Sequence, residues 1–304
     1  MTKLSQNISG HSGSDMQKGV LSLVVLSAVY ASMGIWARGL SHDFLIFQQV
    51  YLRVFVALGL SLIFLHRKLD YSKLARISRN EWLLLAARGL LAGVTVVIFS
   101  QAVIDTKLGN VAFIQSLPFI ALFGIIFFKE RLSWQKLLFI ILSLIGVFLI
   151  AVSDYHNLLH WGRGEFLSVI LGLCFALLVV SRKWHSKLLN NYEITTTIFV
   201  FQAVSILMIS IAVGEGIPKF QWHPWVLATL LMAGIMNVVN FNLANYGFSK
   251  VNNILAGNVL TLEAFWSVVF GFLIFRETLS VKEFMVGLLI ILGVIGMNRL
   301  TGNE

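Results

Sequence analysis

The chain has 304 residues, of which 58% are hydrophobic and only 12% are charged, and its mean hydropathy is +0.84. A water-soluble domain of this length could not bury so much apolar surface in one core, so the composition excludes a soluble globular protein. The net charge of +9 would suit a nucleic-acid partner, but the basic residues are distributed as membrane topology requires.

Ten apolar runs follow one another along the chain, each close to the roughly 20 residues that cross a bilayer as a helix. Residues 1–18 are polar and are predicted to form a flexible cytoplasmic tail, as are residues 300–304 at the other end. The first run lacks a convincing cleavage site, so we expect a retained helix. The predicted spans are 19–38, 44–65, 82–104, 108–128, 134–153, 164–183, 193–213, 224–246, 254–275 and 281–299.

Lys and Arg are unevenly divided between the two predicted sides of the membrane. With a cytoplasmic N-terminus, the cytoplasmic tails and loops hold fifteen of them and the outer loops hold six. This bias predicts a multi-pass protein of the cell inner membrane with both termini in the cytoplasm. We therefore expect the chain to lie in the lipid bilayer and not to bind nucleic acid.

Two stretches resemble each other at an offset of 147 residues: KERLSWQKLLFIILSLIGVFLI from Lys129 and RETLSVKEFMVGLLIILGVIGM from Arg276. Each half then holds five predicted helices, and an odd number forces the second copy to enter the membrane inverted. The sequence thus predicts an all-α integral membrane protein with ten transmembrane helices in two inverted five-helix repeats. The repeats are 19–153 and 164–299, joined by an outer linker, 154–163.

The E-x-L-S turn shared by the two stretches has a structural interpretation. Ser280 is predicted to cap the tenth helix, with Glu283 three residues on reaching back to the cap. Glu130 and Glu277 are expected near the lipid headgroups, where carboxylates orient helix ends or pair with nearby Lys and Arg.

With these turns, the arginine in VYLRVFVA, Pro118 in SLPFIALFGIIFFKE and the motif CFALLVVSRK, the sequence resembles the EamA-like permeases of the drug/metabolite transporter superfamily. The resemblance covers essentially the whole chain. It implies a secondary transporter of small metabolites, commonly amino acids and related compounds, with the substrate in a central cavity between the halves. One departure is LEA at residues 262–264, where the family often has a proline after the glutamate.

Arg53 and Glu263 are charges near the middle of predicted spans in opposite halves. A charge at this depth costs about 2.5 to 3.5 kcal/mol on insertion scales, so it needs a partner or water. One interpretation is that Glu263 receives a cationic group or a coupling proton, while Arg53 supplies a counter-charge or meets a substrate carboxylate. The other is a structural Arg53–Glu263 ion pair that only holds helices together.

Asparagines are concentrated in and after the eighth span. Asn237, Asn240 and Asn245 lie on one wide face of a helix, Asn242 lies outside it, and Asn258 is one turn inside the ninth span. Amides on such a face can hydrogen-bond a polar solute along a transport pathway. They can equally join helices to each other, so both interpretations stay open.

Aromatic residues near these positions suggest walls for a substrate cavity. Tyr30, Trp36, Tyr51, Tyr246 and Trp266 are the candidates, and aromatic faces beside a carboxylate suit an ammonium or quaternary amine. Membrane helices also use aromatic residues for packing and interface anchoring, which is the alternative for each of them.

Arg88 lies about two turns from the cytoplasmic end of the third span, where its side chain is expected to extend to the headgroups as an anchor. Next to it, Gly89 and Gly93 form a G-x-x-x-G pair. Such a pair is consistent with close packing inside one protomer or with the seam of a homodimer.

The chain lacks a phosphate-binding G-x-x-x-x-G-K-[ST] loop, an H-E-x-x-H motif and a dinucleotide fingerprint, and Cys174 is its only cysteine. We therefore expect no catalytic residues, no metal site and no cofactor, and a protein that is not an enzyme. The rival classes are a membrane-embedded enzyme and a non-transporting assembly or sensory subunit.

These observations predict a secondary active transporter of a small amine-bearing metabolite, working by alternating access. The cargo is an amino-acid-like zwitterion or an organic cation, and coupling by protons or by exchange is open.

Overall fold

A computed structural model describes residues 13–117, 119, 123, 133–151, 162–181, 188–219, 223–251, 256 and 259–301. All the regular elements in these ranges are helical. A 3-10 turn, His66–Lys68, and a one-turn helix, Tyr71–Leu74, join the second long helix to the third. The longer helices are α1 Gly13–Leu40, α2 Ile46–Leu65, α3 Arg79–Asp105, α4 Leu108–Gln115, α5 Trp134–Ala151, α6 Arg163–Ser181, α7 Asn191–Ala212, α8 Pro224–Lys250, α9 Leu262–Phe275 and α10 Val281–Thr301.

Six of the described helices are long and apolar enough to cross a bilayer, namely α1, α2, α3, α6, α7 and α8. Large apolar side chains such as Ile63, Met208 and Leu273 are more than half exposed on the outside of the bundle. So much exposed apolar surface requires a lipid environment. The chain is therefore a multi-pass membrane protein.

Helix starts follow the capping rules that the sequence carries. Ser78 and Glu81 form a capping box at the start of α3, and Asn190 and Glu193 form one at the start of α7. The predicted cap of α10 is confirmed, because the Ser280 backbone N–H donates to Glu283 Oε2 at 2.7 Å and the Glu283 N–H donates to Ser280 Oγ at 3.2 Å. These bonds satisfy backbone donors that would otherwise be unpaired at helix ends.

The most extensive packing of the long helices is between the two halves of the chain, and contacts within one half, such as those of α1 and α2 with α3, are smaller. Helix α1 packs against α8 and α9, α2 against α7 and α8, and α3 against α6 and α7. Helix α4 packs against α6 and α9, and α5 against α10. The two halves are therefore interleaved, and any space at their centre is bounded by both.

Similar polar contacts join α2 and α7 at both ends of this helix pair. At the start of α2, Gln48 accepts from the Leu45 backbone N–H, and its Nε2 donates to Glu215 O at 2.8 Å. At the start of α7, Glu193 accepts from the Asn190 N–H at 2.7 Å and from the Asp70 N–H at 3.0 Å. Each helix start is thus bonded to the loop that follows the other helix.

The fourth and ninth predicted spans are less regular than the sequence indicated. The span 108–128 was expected to be one helix, but α4 ends at Gln115 and a turn follows at Ser116. The expected span 254–275 also differs, since a turn at Thr261 separates α9 from the helical residues before it.

The two interruptions share one hydrogen-bond pattern. The Leu117 N–H donates to Ile114 O at 3.2 Å, and the Ala264 N–H donates to Thr261 O at 3.1 Å. Both bonds span three residues instead of the four of an α-helix. Positions 114 and 261 differ by 147, as do 117 and 264, so the interruption recurs at the offset of the sequence repeat.

Arg88 corrects one expectation from the sequence. It does not extend to the surface but is buried, and its Nε donates to Ser181 Oγ at 2.8 Å. The physical reason is that α6 packs against α3 and brings this hydroxyl within reach. A hydrogen bond inside the bundle thus replaces headgroup contact.

The G-x-x-x-G pair on α3 is used inside the protomer. Gly89 lies against the backbone of α7, where an added Cβ would be 3.1 Å from Gln202 N and 3.2 Å from Ile198 O. Gly93 lies against Ile206 of the same helix. The pair lets α3 approach α7 closely, so this face is not available as a homodimer seam.

We expect Gly89→Ala to lower stability by about 1–3 kcal/mol, because the added methyl overpacks a contact with backbone atoms that cannot move aside. Gly59→Ala is the matched control, since nothing lies within 4 Å of a Cβ built there. The control should be neutral or stabilising by up to about 1 kcal/mol. Thermal unfolding of both purified variants in one detergent measures the difference, and equal midpoints would contradict the packing described for Gly89.

Candidate functional site

A small cavity of about 10 Å³ lies between α1, α3, α4 and α9, with space for about one water molecule. Its polar lining residues are Tyr30, Gln115, Glu263 and Ser267. The remaining walls are apolar and include Phe99 of α3. Helices of both halves therefore contribute to a space whose one ionisable acid is Glu263.

The carboxylate of Glu263 faces this cavity from the first turn of α9. Within the described part of the chain, no hydrogen bond or ion pair reaches it. Ser267 lies one turn further along the same helix face, and the buried Gln115 Oε1 has no hydrogen-bond partner among the described residues. Several polar atoms thus converge on one small space without satisfying one another.

Arg53 lies in a second polar cluster, outside the lining of the Glu263 cavity. Its side chain is buried, its Nη2 donates to Ser100 Oγ at 2.7 Å, and its Nε donates to Gln49 O at 3.3 Å. Arg53 and Glu263 form no ion pair, so the structural pairing considered from the sequence is absent. Phe99 and Ser100 are consecutive residues of α3, and they reach the Glu263 cavity and Arg53 respectively.

The asparagines of α8 are partly used by their own helix. Asn237 Nδ2 donates to Ala233 O at 3.1 Å, and Asn242 Nδ2 donates to Val238 O at 2.8 Å. Asn240 is half-buried on the same helix. The side chain of Asn245 and the whole of Asn258 lie outside the described residues. The pathway role predicted for the asparagines stays a prediction.

Of the five candidate aromatic residues, only Tyr30 lines the Glu263 cavity, where its ring meets Phe175 edge to face at 6.2 Å. Tyr51 instead donates its hydroxyl to Gly216 O at 3.2 Å, beside the loop after α7. Tyr246 is 42% exposed.

The two candidate tryptophans each carry an unsatisfied indole. Trp36 packs against the cluster that contains Leu40 and Leu230, and Trp266 stacks on Phe270 at 6.1 Å. Each Nε1 is buried and has no hydrogen-bond partner in the described part of the chain. Buried indole N–H groups usually find an acceptor, so both remain candidates to donate to a solute.

Four polar residues of this region were not singled out from the sequence. Gln115 and Ser267 line the cavity, and Gln49 and Ser100 contact Arg53. The available signal was a polar side chain inside an apolar span. That signal does not say which helix face turns inward.

The profile of the EamA-like transporter family matches residues 17–152 and, a second time, residues 162–299. The chain belongs to the EamA-like transporter family. The match confirms the resemblance that the motifs predicted.

Two relatives of this EamA-like transporter carry names that agree with the family. An uncharacterized transporter of Methanothermobacter thermautotrophicus is 25% identical over 72% of this chain, which spans 65% of that protein's length. An uncharacterized transporter of Synechocystis is 23% identical over 79% of this chain and 72% of its own length. A solved crystal structure of a protein 14% identical in sequence aligns with 96% of this chain and 99% of its own chain, with a TM-score of 0.65. At this identity, the similarity shows only that the two chains share a fold.

The end of the EamA-like bundle predicted to face outward is closed by a polar network. Glu277, in the turn between α9 and α10, binds Arg38 Nη1 at 2.6 Å and accepts from the Leu108 N–H at 3.0 Å. Arg38 Nη2 also donates to Thr106 O at 2.6 Å. The predicted structural role of Glu277 is confirmed, whereas its counterpart Glu130 lies outside the described residues.

A second part of the network joins Glu283 and Glu165 across the same end. Lys107 Nζ contacts both oxygens of Glu283, at 2.8 and 2.9 Å. Asn110 Nδ2 lies 3.3 Å from Glu283 Oε1 and 3.3 Å from Glu165 Oε1, and the Thr106 hydroxyl also donates to Glu165. These side-chain contacts hold α1, α4, α6 and α10 together at this end of the bundle.

Among the residues that the structure describes, no three His, Cys, Asp or Glu side chains form a metal-binding group.

We expect Arg38→Ala to lower stability by about 1.5–3 kcal/mol, because it removes charge-assisted hydrogen bonds at a largely buried position. Arg163→Ala is the control, since the Arg163 Nε–Asp105 Oδ2 contact is 3.3 Å long and the Arg163 side chain is 75% exposed. The control should cost no more than about 1 kcal/mol. Unfolding midpoints of the two purified variants decide the matter, and an equal loss in both would contradict a special role for the Arg38–Glu277 pair.

Proposed function

We propose that this chain is a secondary active transporter that moves a small amine-bearing polar metabolite across the cytoplasmic membrane by alternating access. The cargo is an amino-acid-like zwitterion or an organic cation, and coupling is by protons or by exchange. The observation that carries the proposal is the unpartnered Glu263 carboxylate, which faces a cavity bounded by helices of both halves.

An unpaired carboxylate in this position needs a cation for part of its working cycle. Leaving a charge without a partner in the membrane interior is costly, so Glu263 is expected either to bind a proton or to meet a cationic group. Tyr30 on the wall of the same cavity could add an aromatic face for an ammonium. Both features favour an amine-bearing solute over an anion at this point.

The size of the cavity supports a cycle with more than one conformation. A volume of about 10 Å³ is far below the roughly 300–1,000 Å³ of pockets that hold drug-sized ligands. A metabolite can therefore enter only if α1, α3, α4 and α9 move apart. Alternating access supplies such a movement.

Helix pairing supports the inverted repeat of ten spans that this mechanism uses. Each first-half helix has a second-half counterpart five helices later. Helix α1 then corresponds to α6, α2 to α7, α3 to α8 and α4 to α9. When each helix of a pair is replaced by its counterpart, α1–α8 becomes α6–α3, α3–α7 becomes α8–α2 and α1–α9 becomes α6–α4, and all of these pairs are observed. The α2–α7, α4–α9 and α5–α10 pairs map onto themselves.

Equivalent contacts at opposite ends of one helix pair support the inversion itself. Gln48 and Glu193 are 145 residues apart, and so are their partners Asp70 and Glu215. Gln48 binds Glu215 at one end of the α2–α7 pair, whereas Glu193 binds Asp70 at the other. An inverted repeat of five spans each would place both termini on one side, which the distribution of Lys and Arg assigns to the cytoplasm.

Flux into proteoliposomes tests the proposal. We expect uptake of at least one labelled amino acid or choline-like cation, altered by an imposed proton gradient or by unlabelled solute on the far side. No flux for any member of the panel, with monodisperse and folded protein, would overturn the transport of amine-bearing solutes.

Glu263→Gln should reduce this flux by roughly tenfold or more, because losing a charge-assisted hydrogen bond of about 1.5–3 kcal/mol has at least that effect on a rate. It should also remove any dependence on the proton gradient. Glu81→Gln is the matched control, since Glu81 lies in the first turn of α3 and glutamine keeps the capping box. Wild-type flux and unchanged proton dependence in Glu263→Gln would contradict the role of this carboxylate.

A further inference from the structure

Arg53 is a buried guanidinium without an acidic partner. Its exposed fraction is 2%, and none of the described Asp or Glu side chains forms an ion pair with it. Two of the five N–H donors of a guanidinium are used, by Ser100 Oγ and Gln49 O. Three donors therefore remain in a region where hydrogen-bond acceptors are scarce.

Gln49 provides a second, independent observation at the same place. It lies one turn before Arg53 on α2, so the two side chains share a helix face. It is 0% exposed, and both polar atoms of its amide lack a hydrogen-bond partner among the described residues. A buried, unsatisfied amide and a buried guanidinium without an acidic partner thus lie one turn apart on one helix face.

Two acidic side chains on or near the neighbouring helices do not supply the missing acceptor. Glu215 accepts from the Phe47 and Gln48 backbone N–H groups at the start of α2. Glu263 faces its own cavity and does not pair with Arg53. The missing acceptor is therefore not a carboxylate of the described protein.

We infer that Arg53, Gln49 and Ser100 form a subsite for a carboxylate carried by the solute. Arg binds carboxylates through two parallel N–H donors. The Ser100 hydroxyl, which contacts the guanidinium, and the Gln49 amide on the same helix face as Arg53 would bind the same group. The inference rests on the proposed function and narrows it. A zwitterion bearing both an amine and a carboxylate fits, whereas a plain organic cation does not.

The geometry of α3 connects this subsite to Glu263. Phe99 lines the Glu263 cavity, and the next residue, Ser100, binds Arg53. A solute held between α1, α2, α3 and α9 could therefore place its amine towards Glu263 and its carboxylate towards Arg53. Opposite charges at the two positions would fix the orientation of the solute.

Matched pairs of probes test the inference. Each labelled α-amino acid is compared with the amine in which hydrogen replaces the carboxylate, such as leucine with isoamylamine and phenylalanine with phenethylamine. Binding is measured as thermal stabilisation of the full chain in lipid nanodiscs, and flux is measured in proteoliposomes. The wild-type protein should favour the carboxylate member of a pair by about tenfold or more.

Arg53→Met and Gln49→Leu should each reduce this preference, with the larger effect for Arg53→Met. Arg88→Met is the matched control, because Arg88 is also buried and also donates to a serine, Ser181, at 2.8 Å. The control should keep the preference. Gln49→Leu removes no charge, so it provides the test if Arg53→Met does not fold.

The possible outcomes separate this inference from the proposed function. Equal binding and flux of amine and amino acid, or a preference unchanged in Arg53→Met and Gln49→Leu, would overturn the subsite while leaving transport intact. If the protein transports none of the probes, the proposed function fails, and the binding measurement alone tests whether the carboxylate subsite exists. Carboxylate-dependent stabilisation lost in Arg53→Met then supports the subsite, and no stabilisation by any amino acid overturns it.

Discussion

In a bilayer, polar groups must find their partners inside the protein, because hydrocarbon offers none. Most polar groups described here obey this constraint. Arg88 binds Ser181, Arg38 binds Glu277, and the capping boxes satisfy the helix starts. The exceptions are therefore informative, and Glu263 and Gln49 are the clearest of them.

The exceptions differ from the satisfied groups in where they lie. The Arg38–Glu277 network closes one end of the bundle and fixes helix ends. Glu263 and Gln49 instead belong to α9 and α2, in opposite halves of the chain, and lie between packed helices. Such groups are expected where a solute or a proton supplies the missing partner. The satisfied polar groups thus hold the helices together, whereas the unsatisfied ones are the residues to which the proposed function assigns transport.

The sequence predicted the features that follow from the bilayer itself. Hydropathy located helices because a span needs a fixed length of apolar residues, and the Ser280–Glu283 cap followed from local spacing. Prediction failed where the partner of a polar side chain belongs to a neighbouring helix. Arg88 was expected at the headgroups because nothing in its own span reveals Ser181, which lies 93 residues further along the chain. Gln49 and Ser100 were missed for the same reason.

The interrupted turn before α9 repeats a feature of the first half without repeating its proline. The first half has Pro118 just after its interrupted turn, and proline alone would explain that break. The second half has no proline there, yet the Ala264 N–H reaches Thr261 O just as the Leu117 N–H reaches Ile114 O. Helices α4 and α9 pack against each other, so the same distortion occurs in two packed partners of which only one is followed by a proline. Glu263 lies between the two residues that this hydrogen bond joins, so the interrupted turn leads directly into the residue that lines the cavity.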